Sequence, residues 1–408
     1  IFSNYGFIKC FDQRNFLLSR CYLSYFGIEK LTHHLSQIIL RIYNSNKKVL
    51  ILDCDNTLWG GVLGEEGEKN ILIGQDGLGL AYLEFQKAII TIKNRGIILA
   101  IASKNNKSDV QKVFKNHKSM YVKHKDITSY KVNWNEKFKN ILELSNDLFL
   151  GTSSFVFWDD NPIERKKVKL NLNDVEVVEP NDDISEWAKQ LLELPSLSKF
   201  NISKDDLSKT KQYKNREKFL NEKKTFKNEK KYLNSINIKP KLIRLNDSNI
   251  SRAEQMTMKT NQFNINIKRF NIIDLKKINS KKDVFLINLK DDYGDHGIVS
   301  LVILGETKNS IVIELFLMSC RIIGRYLENW ILEKIREKSV KKKKKNIIVE
   351  YFQTERNDIA LKFLDENKFK KINKNNLLKY LNEEDINKKY NYAILNVKEK
   401  INNINIYK

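Results

Sequence analysis

The apolar residues of this chain fall into two patterns. Val49-Leu50-Ile51-Leu52, Ile97-Ile98-Leu99-Ala100-Ile101-Ala102 and Phe155-Val156-Phe157-Trp158 are unbroken apolar runs that each stop at polar residues. Short continuous runs of this kind mark strands buried on both faces of a parallel sheet. Between the first two, Tyr82, Phe85, Ile89 and Ile92 recur at three- and four-residue steps, the stripe of an amphipathic helix, and Gly96 stands where such a helix stops. Further helices are expected over 107–118 and from Trp134 onward. Strand alternating with helix predicts an α/β domain with a doubly wound parallel sheet over 47–195. Before it, residues 1–46 carry Phe16, Leu17, Tyr22, Leu23, Phe26, Leu31, Ile38, Ile39 and Ile42 at roughly helical spacing, which predicts a helical lead-in packed on that domain.

The pattern changes over 196–233, where branched apolar residues give way to Lys, Asn, Glu and Ser. This stretch reads as a helical linker, with one amphipathic helix around Tyr213 to Leu220. Over 234–408 the order of elements differs again. A strand is expected from Ile238 to Leu245, with Pro240 tolerable near its start, and a helix from Ser248 to Met258 capped by Asp247 or Ser248. Val284 to Leu289 and Ile298 to Leu304 make a hairpin about the turn Asp291-Asp292-Tyr293-Gly294-Asp295. Then come a strand from Ile311 to Leu317, a long helix from Arg321 to Lys338, a strand from Ile347 to Tyr351, a helix from Asp358 to Phe369 and a last strand from Tyr392 to Val397. That order predicts a second, mixed-sheet α+β domain.

Length agrees with this division, since 408 residues exceed one ordinary core. No apolar stretch has the length needed to span a bilayer, so no membrane role is expected. Four cysteines, Cys10, Cys21, Cys54 and Cys320, are too scattered for a disulfide framework and form no Cys-x-x-Cys knuckle; a reducing cytoplasm is the expected setting. The net charge of +23 comes from Lys spread through Asn- and Ile-rich sequence, and the densest run, Lys341 to Lys345, lies between a helix and a strand. No nucleic-acid footprint is expected from such a distribution, whereas an acidic or phosphorylated partner gains electrostatically.

The ends of the strands carry the chemistry. The first run stops at Asp53-Cys54-Asp55-Asn56-Thr57, the second at Ser103-Lys104-Asn105, the third at Asp159-Asp160, and in an open parallel sheet these ends face the ligand crevice. Phosphoryl transfer needs a nucleophile in line with phosphorus, a divalent ion and cationic donors on the phosphate oxygens. Asp53 is the candidate nucleophile, forming an aspartyl phosphate, and Asp55 the acid that protonates the leaving oxygen and then activates water. Asp53, the main-chain carbonyl of Asp55 and a carboxylate of Asp159 or Asp160 offer oxygen ligands suited to Mg2+. Thr57, Ser103, Lys104 and Asn105 are candidates to face the phosphate. Lys137, with Lys131 as the alternative, supplies a point charge. Each signal alone is weak; the ordered set is specific.

That set resembles the haloacid dehalogenase-like (HAD) phosphatase superfamily. Leu52-Asp53-Cys54-Asp55-Asn56-Thr57-Leu58-Trp59-Gly60-Gly61-Val62-Leu63-Gly64-Glu65, Ser103-Lys104-Asn105-Asn106, Asn133-Trp134-Asn135-Glu136-Lys137 and Phe157-Trp158-Asp159-Asp160-Asn161-Pro162-Ile163-Glu164-Arg165 are similar, more narrowly, to the FkbH-like family. Thr260-Asn261-Gln262-Phe263-Asn264, Asp291 to Gly297 and Phe316 to Arg325 resemble that family's GNAT-like acyltransferase portion. The resemblance implies a Mg2+-dependent enzyme that charges an acyl carrier protein, on its phosphopantetheine arm, with a glyceryl unit from 1,3-bisphosphoglycerate, toward polyketide building blocks. It implies an acyl or pantetheine site at Asn261, Phe263, Asp295, His296, Arg321, Gly324 and Arg325.

Two residues depart from the family pattern. Cys54 replaces an aliphatic residue and reads as a small buried hydrophobe. Tyr326 replaces the last glycine of an Arg-x-x-Gly-x-Gly turn that would hold a pyrophosphate at a helix start, which favours a carrier-borne pantetheine over coenzyme A. Cys320, expected at the start of the long helix where its pKa would fall, is a candidate to hold the glyceryl group as a thioester; a buried strand-end cysteine is the alternative. His296 is either an assisting base or a solvent-exposed hairpin residue. A plain phosphatase acting on a small phosphate ester, and a carrier-protein docking module, are the competing functions.

Overall fold

The computed structural model describes residues 5–43, 47–198, 202, 204–226, 228–354, 357–381, 383, 386–387, 389–399 and 407, and the chain divides into two compact units, 1–214 and 215–408. The first opens with helices α1 (Phe7–Cys10), α2 (Gln13–Ser19) and α3 (Tyr25–Tyr43). The helical spacing of the lead-in is realised, but its apolar stripe is not buried as expected: Leu35, Ile38, Ile39 and Ile42 on α3 are exposed. A hydrogen bond from Arg41 Nη2 to the Glu193 carbonyl, 3.2 Å, helps to tie α3 to the domain that follows.

That domain runs β1 (Val49–Leu52), α4 (Leu63–Glu66), α5 (Gly77–Asn94), β2 (Ile98–Ser103), α6 (Lys107–Asn116), β3 (Ile127–Val132), α7 (Lys137–Leu148), β4 (Phe155–Trp158), α8 (Pro162–Asn171), β5 (Glu176–Val177) and α9 (Trp187–Glu193). Its five strands form a sheet in the order β3-β2-β1-β4-β5, parallel throughout. β1, β2 and β4 are buried along their whole lengths, as unbroken apolar runs require. Phe85, Ile89 and Ile92 of α5 pack on Leu50 and Leu52. The helix ends at Gly96, whose φ of 84° admits the left-handed turn and whose N–H reaches the Lys93 carbonyl at 2.8 Å. Leu52 stands in register with Ile101 on one side and Trp158 on the other, so Asp53, Ser103 and Asp159 leave the sheet at one edge. The strand pattern missed β3, because Thr128 and Ser129 interrupt its apolar run although both are buried.

Helix α10 (Lys204–Thr225) spans the division between the units. The second unit continues with α11 (Glu229–Ser235), β6 (Lys239–Arg244), α12 (Ile250–Lys259), β7 (Phe263–Asn264), α13 (Ile272–Lys281), β8 (Asp283–Asp291), β9 (Gly294–Glu306), β10 (Ser310–Met318), α14 (Leu327–Lys341), β11 (Asn346–Tyr351), α15 (Asp358–Glu366), β12 (Lys370–Ile372), α16 (Lys374–Leu377) and β13 (Asn391–Asn396). The sheet order is β12-β13-β11-β10-β9-β8-β6, with β7 paired to the end of β10. It is mixed: β10 and β11 are parallel, the other pairs antiparallel. One face is covered by Leu327, Ile331 and Ile335 of α14 and Phe363 of α15, the other by Ile250, Ala253 and Met256 of α12 and Leu275 of α13.

The long helix begins at Leu327, not at Arg321. A 3-10 turn over Cys320–Ile322, then Gly324 at φ 94° and Tyr326 at φ 56°, redirect the chain before the helix can start. Cys320 is therefore a residue of a turn after β10 and not the start of the long helix. Helix α13 and strand β7 also form where the apolar pattern gave no expectation. Among the described residues, no helix is long and apolar enough to cross a membrane.

Candidate active site

Beyond Leu52 the chain turns sharply. Asn56 takes a left-handed φ of 50°, and the N–H of Leu58 closes back on the Cys54 carbonyl at 2.8 Å. This turn lets Asp53 and Asp55 serve different purposes. Asp53 Oδ2 pairs with Lys137 Nζ at 2.9 Å, and the same ammonium contacts Asp159 Oδ2 at 2.6 Å. All three groups are buried. Asp53 Oδ1 is buried with no hydrogen-bond partner, which is costly unless a ligand supplies one.

Asp53, Asp159 and Asp160 each present an oxygen within 4.8 Å of the others. Three converging hard oxygen donors around an unpartnered carboxylate oxygen suit a small divalent cation. Thr57 Oγ1 holds Asp160 from two sides, at 3.3 Å from its Oδ1 and 3.3 Å from its N–H. Arg165 Nη1 donates to the main-chain carbonyls of Asp159 and Asp160 at 2.9 and 2.6 Å, fixing the loop that carries them.

Asp55 stands outside this trio. Its Oδ1 accepts from the Trp59 indole at 3.0 Å and the Leu63 N–H at 3.2 Å, and its Oδ2 from Asn105 Nδ2 at 2.8 Å. Burial pushes its carboxyl above the usual range even though these donors favour the ionised form. Burial, reinforced by the charge of Asp53, likewise raises Asp159 and Asp160. For Lys137 burial works against the charged form, but Asp53 and Asp159 outweigh it and the pKa rises; the ammonium is permanent.

The structure thus brings together Asp53, Asp55, Thr57, Asn105, Lys137, Asp159 and Asp160. Ser103 is buried at the end of β2, and burial raises the pKa of the Cys54 thiol. Lys104 is turned into a ring of charges: it pairs with Glu164 at 3.0 Å and Glu136 at 3.7 Å, and Lys167 closes the ring at 3.1 Å from Glu136 and 3.6 Å from Glu164. Lys131 pairs with Glu143 at 2.9 Å and Asp147 at 2.8 Å. The lysine between the carboxylates is Lys137. Sequence reasoning assigned no role to Trp59, Arg165, Glu136 or Glu164; only their presence in the family-like segments could have drawn attention to them.

In the second unit, His296 is buried, contrary to an exposed hairpin position. It is an extra residue on β9, between Gly297 opposite Leu289 and Asp295 opposite Lys290, and such a bulge re-aims a side chain. Its Nε2 lies 2.8 Å from Asp291 Oδ1, while Arg325 Nε donates to Asp291 Oδ2 at 2.7 Å. Despite burial, these two partners hold the Asp291 carboxyl below its usual range. Arg321 Nη2 donates to the His296 carbonyl at 2.8 Å, Asp295 pairs with Lys290 at 2.9 Å, and Asn261 accepts from Arg269.

Phe263 lies in a segment that bridges the two parallel strands. The register joins β10 and β11 directly only from Ser310/Asn346 to Ile313/Val349. Beyond that, Ile265 N–H donates to the Phe316 carbonyl at 3.1 Å, and the Phe352 N–H donates to the Ile265 carbonyl at 2.9 Å. Phe263, Asn264, Ile265 and Asn266 are all buried there. Gly324 offers its carbonyl to Lys223 Nζ at 3.1 Å, and Cys320 offers its carbonyl to Arg216 at 2.6 Å. These contacts present carbonyl oxygens of the turn to cations.

No protein-family model and no curated protein matches the chain. Among solved structures, it is similar to the N-terminal part of BF1531 from Bacteroides fragilis, which contains a phosphatase domain and was crystallised with Mg, at 37% identity and a TM-score of 0.44. The alignment covers 47% of this chain and 52% of that one, about half of each. A GNAT-family acetyltransferase from Staphylococcus aureus (12% identity, TM-score 0.31) is covered over its full length by 39% of this chain. The ribosomal-protein-S18-alanine N-acetyltransferase of Escherichia coli (12%, 0.29) is covered over 98% of its length by 40% of this chain.

Proposed function

We propose that this chain is a Mg2+-dependent enzyme that removes phosphate from a phosphorylated three-carbon acyl donor and passes the glyceryl unit to an acyl carrier protein. The observation that carries the phosphatase half is the Asp53, Lys137, Asp159 and Asp160 cluster, with one oxygen of Asp53 left without a partner. Mg2+ bound by the three carboxylates would offset phosphate charge. Asp53 Oδ1 attacks phosphorus, the P–O ester bond breaks, and Asp55 protonates the departing oxygen. Water, deprotonated by Asp55, then attacks phosphorus of the aspartyl phosphate and frees phosphate and Asp53.

A 1,3-bisphosphoglycerate-like donor carries two chemically different phosphates. Its acyl phosphate is already activated: a thiolate attacking the acyl carbon expels phosphate unaided. Its phosphate monoester leaves only with the help of an enzyme, so the HAD-type site is assigned to the monoester. A plain phosphatase is the second reading, favoured by the internal engagement of Phe263, His296, Arg321 and Arg325.

Intact-mass spectrometry of a phosphopantetheinylated carrier protein, incubated with the chain, Mg2+ and enzymatically generated 1,3-bisphosphoglycerate, separates the two. Carrier loading predicts a glyceryl mass increment that Asp53→Asn replaces with a phosphoglyceryl increment. Loss of the increment in Cys320→Ala makes that thiol a covalent station; persistence removes it from the mechanism. A carrier that stays unmodified while phosphate is released leaves the plain phosphatase.

The hydrogen bond from Asn105 to Asp55 makes a smaller prediction. Asn105→Ala removes one of three donors, worth about tenfold in rate, and is expected to lower kcat for phosphate release with KM and Mg2+ affinity unchanged. A raised KM instead would place Asn105 on the substrate.

A further inference from the structure

Around the turn that joins β9 to β10, the second unit has a cleft of about 890 Å³ with no role in the chemistry above. Its size is that of a small-molecule site. Val312, Leu381 and Ile386 contribute an apolar wall, and the charged lining includes Glu314 of β10 and Glu350 of β11. Glu314 sits at the register break of β10 between Ile313 and Leu315, and its carboxylate lies across Gly305, where any Cβ would collide with it. Each carboxylate has a lysine: Lys282 lies 2.7 Å from Glu314 and Lys268 2.8 Å from Glu350.

The balance of charge changes with depth. The side chains of Glu350 and Glu314 are 7% and 22% exposed, those of Lys282 and Lys342 40% and 43%. Lys281 is exposed on the lining as well. Lys268, 19% exposed, lies at the depth of the two carboxylates, and Glu306, 43% exposed, at that of Lys342, so the floor holds more carboxylates than lysines and the rim more lysines than carboxylates. Burial raises the Glu350 carboxyl; the charge of Glu314 adds to this, and Lys268 only partly opposes it. A second cation at the floor would relieve that unfavourable environment. The flexible lysines can turn outward to meet an anion without losing water.

We propose that this cleft binds a small primary amine that carries an anionic group at its other end. The ammonium reaches Glu350 and Glu314, the intervening methylenes lie on Val312, Leu381 and Ile386, and the anionic end meets Lys282 and Lys281. Neither a simple amine nor a simple acid satisfies both ends.

Isothermal titration calorimetry of the whole chain with γ-aminobutyrate, butylamine and butyrate tests this with probes of matched length. γ-Aminobutyrate is expected to bind, and each single-ended probe to bind at least about tenfold more weakly, the effect of one lost charge-assisted contact. Glu350→Gln and Lys282→Met should each weaken γ-aminobutyrate by about the same factor. Glu314→Gln, at a less buried position, serves if Glu350→Gln unfolds the domain. Butyrate binding as tightly as γ-aminobutyrate overturns the proposed sidedness. Absence of binding by all three probes, or binding indifferent to all three substitutions, overturns the site.

Discussion

Asp53→Asn is expected to abolish phosphate release, by a factor on the order of 10^4 or more, the scale on which loss of a covalent nucleophile acts. Asparagine keeps the shape of the side chain and an oxygen for Lys137, so folding should survive. Its charge is what disappears. Because Asp53 raises the pKa of both Asp159 and Asp160, its neutralisation makes those two carboxylates easier to ionise. Mg2+ binding is therefore expected to weaken but to persist, while no acid-stable phosphoprotein or released phosphate appears. Phosphate release with radiolabelled substrate, beside Mg2+ titration by calorimetry, distinguishes loss of nucleophile from loss of metal. Substantial turnover in Asp53→Asn would assign the attack to another group.

What could be read from the sequence depended on whether the physics was local. β1, β2 and β4 announced themselves because burial on both faces demands unbroken apolar residues, and the ends of those strands then located Asp53, Ser103 and Asp159. Thr128 and Ser129 hid β3, since two buried polar residues look like a turn when the neighbours that surround them are unknown. Gly324 and Tyr326 are the reason Cys320 was misplaced: a left-handed turn at a tyrosine has no signature in an apolar pattern. The bulge that buries His296 against Asp291 is set by the pairing of β8 with β9, which no single segment reveals. The ring around Lys104 joins residues 60 positions apart, such as Lys104 and Glu164, and the choice between Lys131 and Lys137 was equally a matter of tertiary geometry.

That choice leads to the second large effect. Lys137→Met leaves Asp53, Asp159 and Asp160 facing one another with no cation. Removing one partner from a buried ion pair costs about 3–5 kcal/mol, because the remaining charge is left desolvated, and here two contacts are lost together. For a domain of this size the metal-free protein should melt about 10 °C lower. Mg2+, which replaces the missing positive charge among the same oxygens, is expected to recover a large part of that loss, whereas NaCl at matched ionic strength is not. Catalysis is not expected to recover, since the proposed reaction relies on that ammonium beside the phosphoryl group. Lys131→Met supplies the contrast. Its partners Glu143 and Asp147 are 52% and 38% exposed, so the change is expected to stay within about 1 kcal/mol and to leave phosphate release intact. Thermal unfolding of both variants in EDTA, Mg2+ and NaCl decides the matter. If Lys137→Met melts with the wild type in EDTA, or gains as much from NaCl as from Mg2+, the buried ammonium is not the counter-charge that assembles this site.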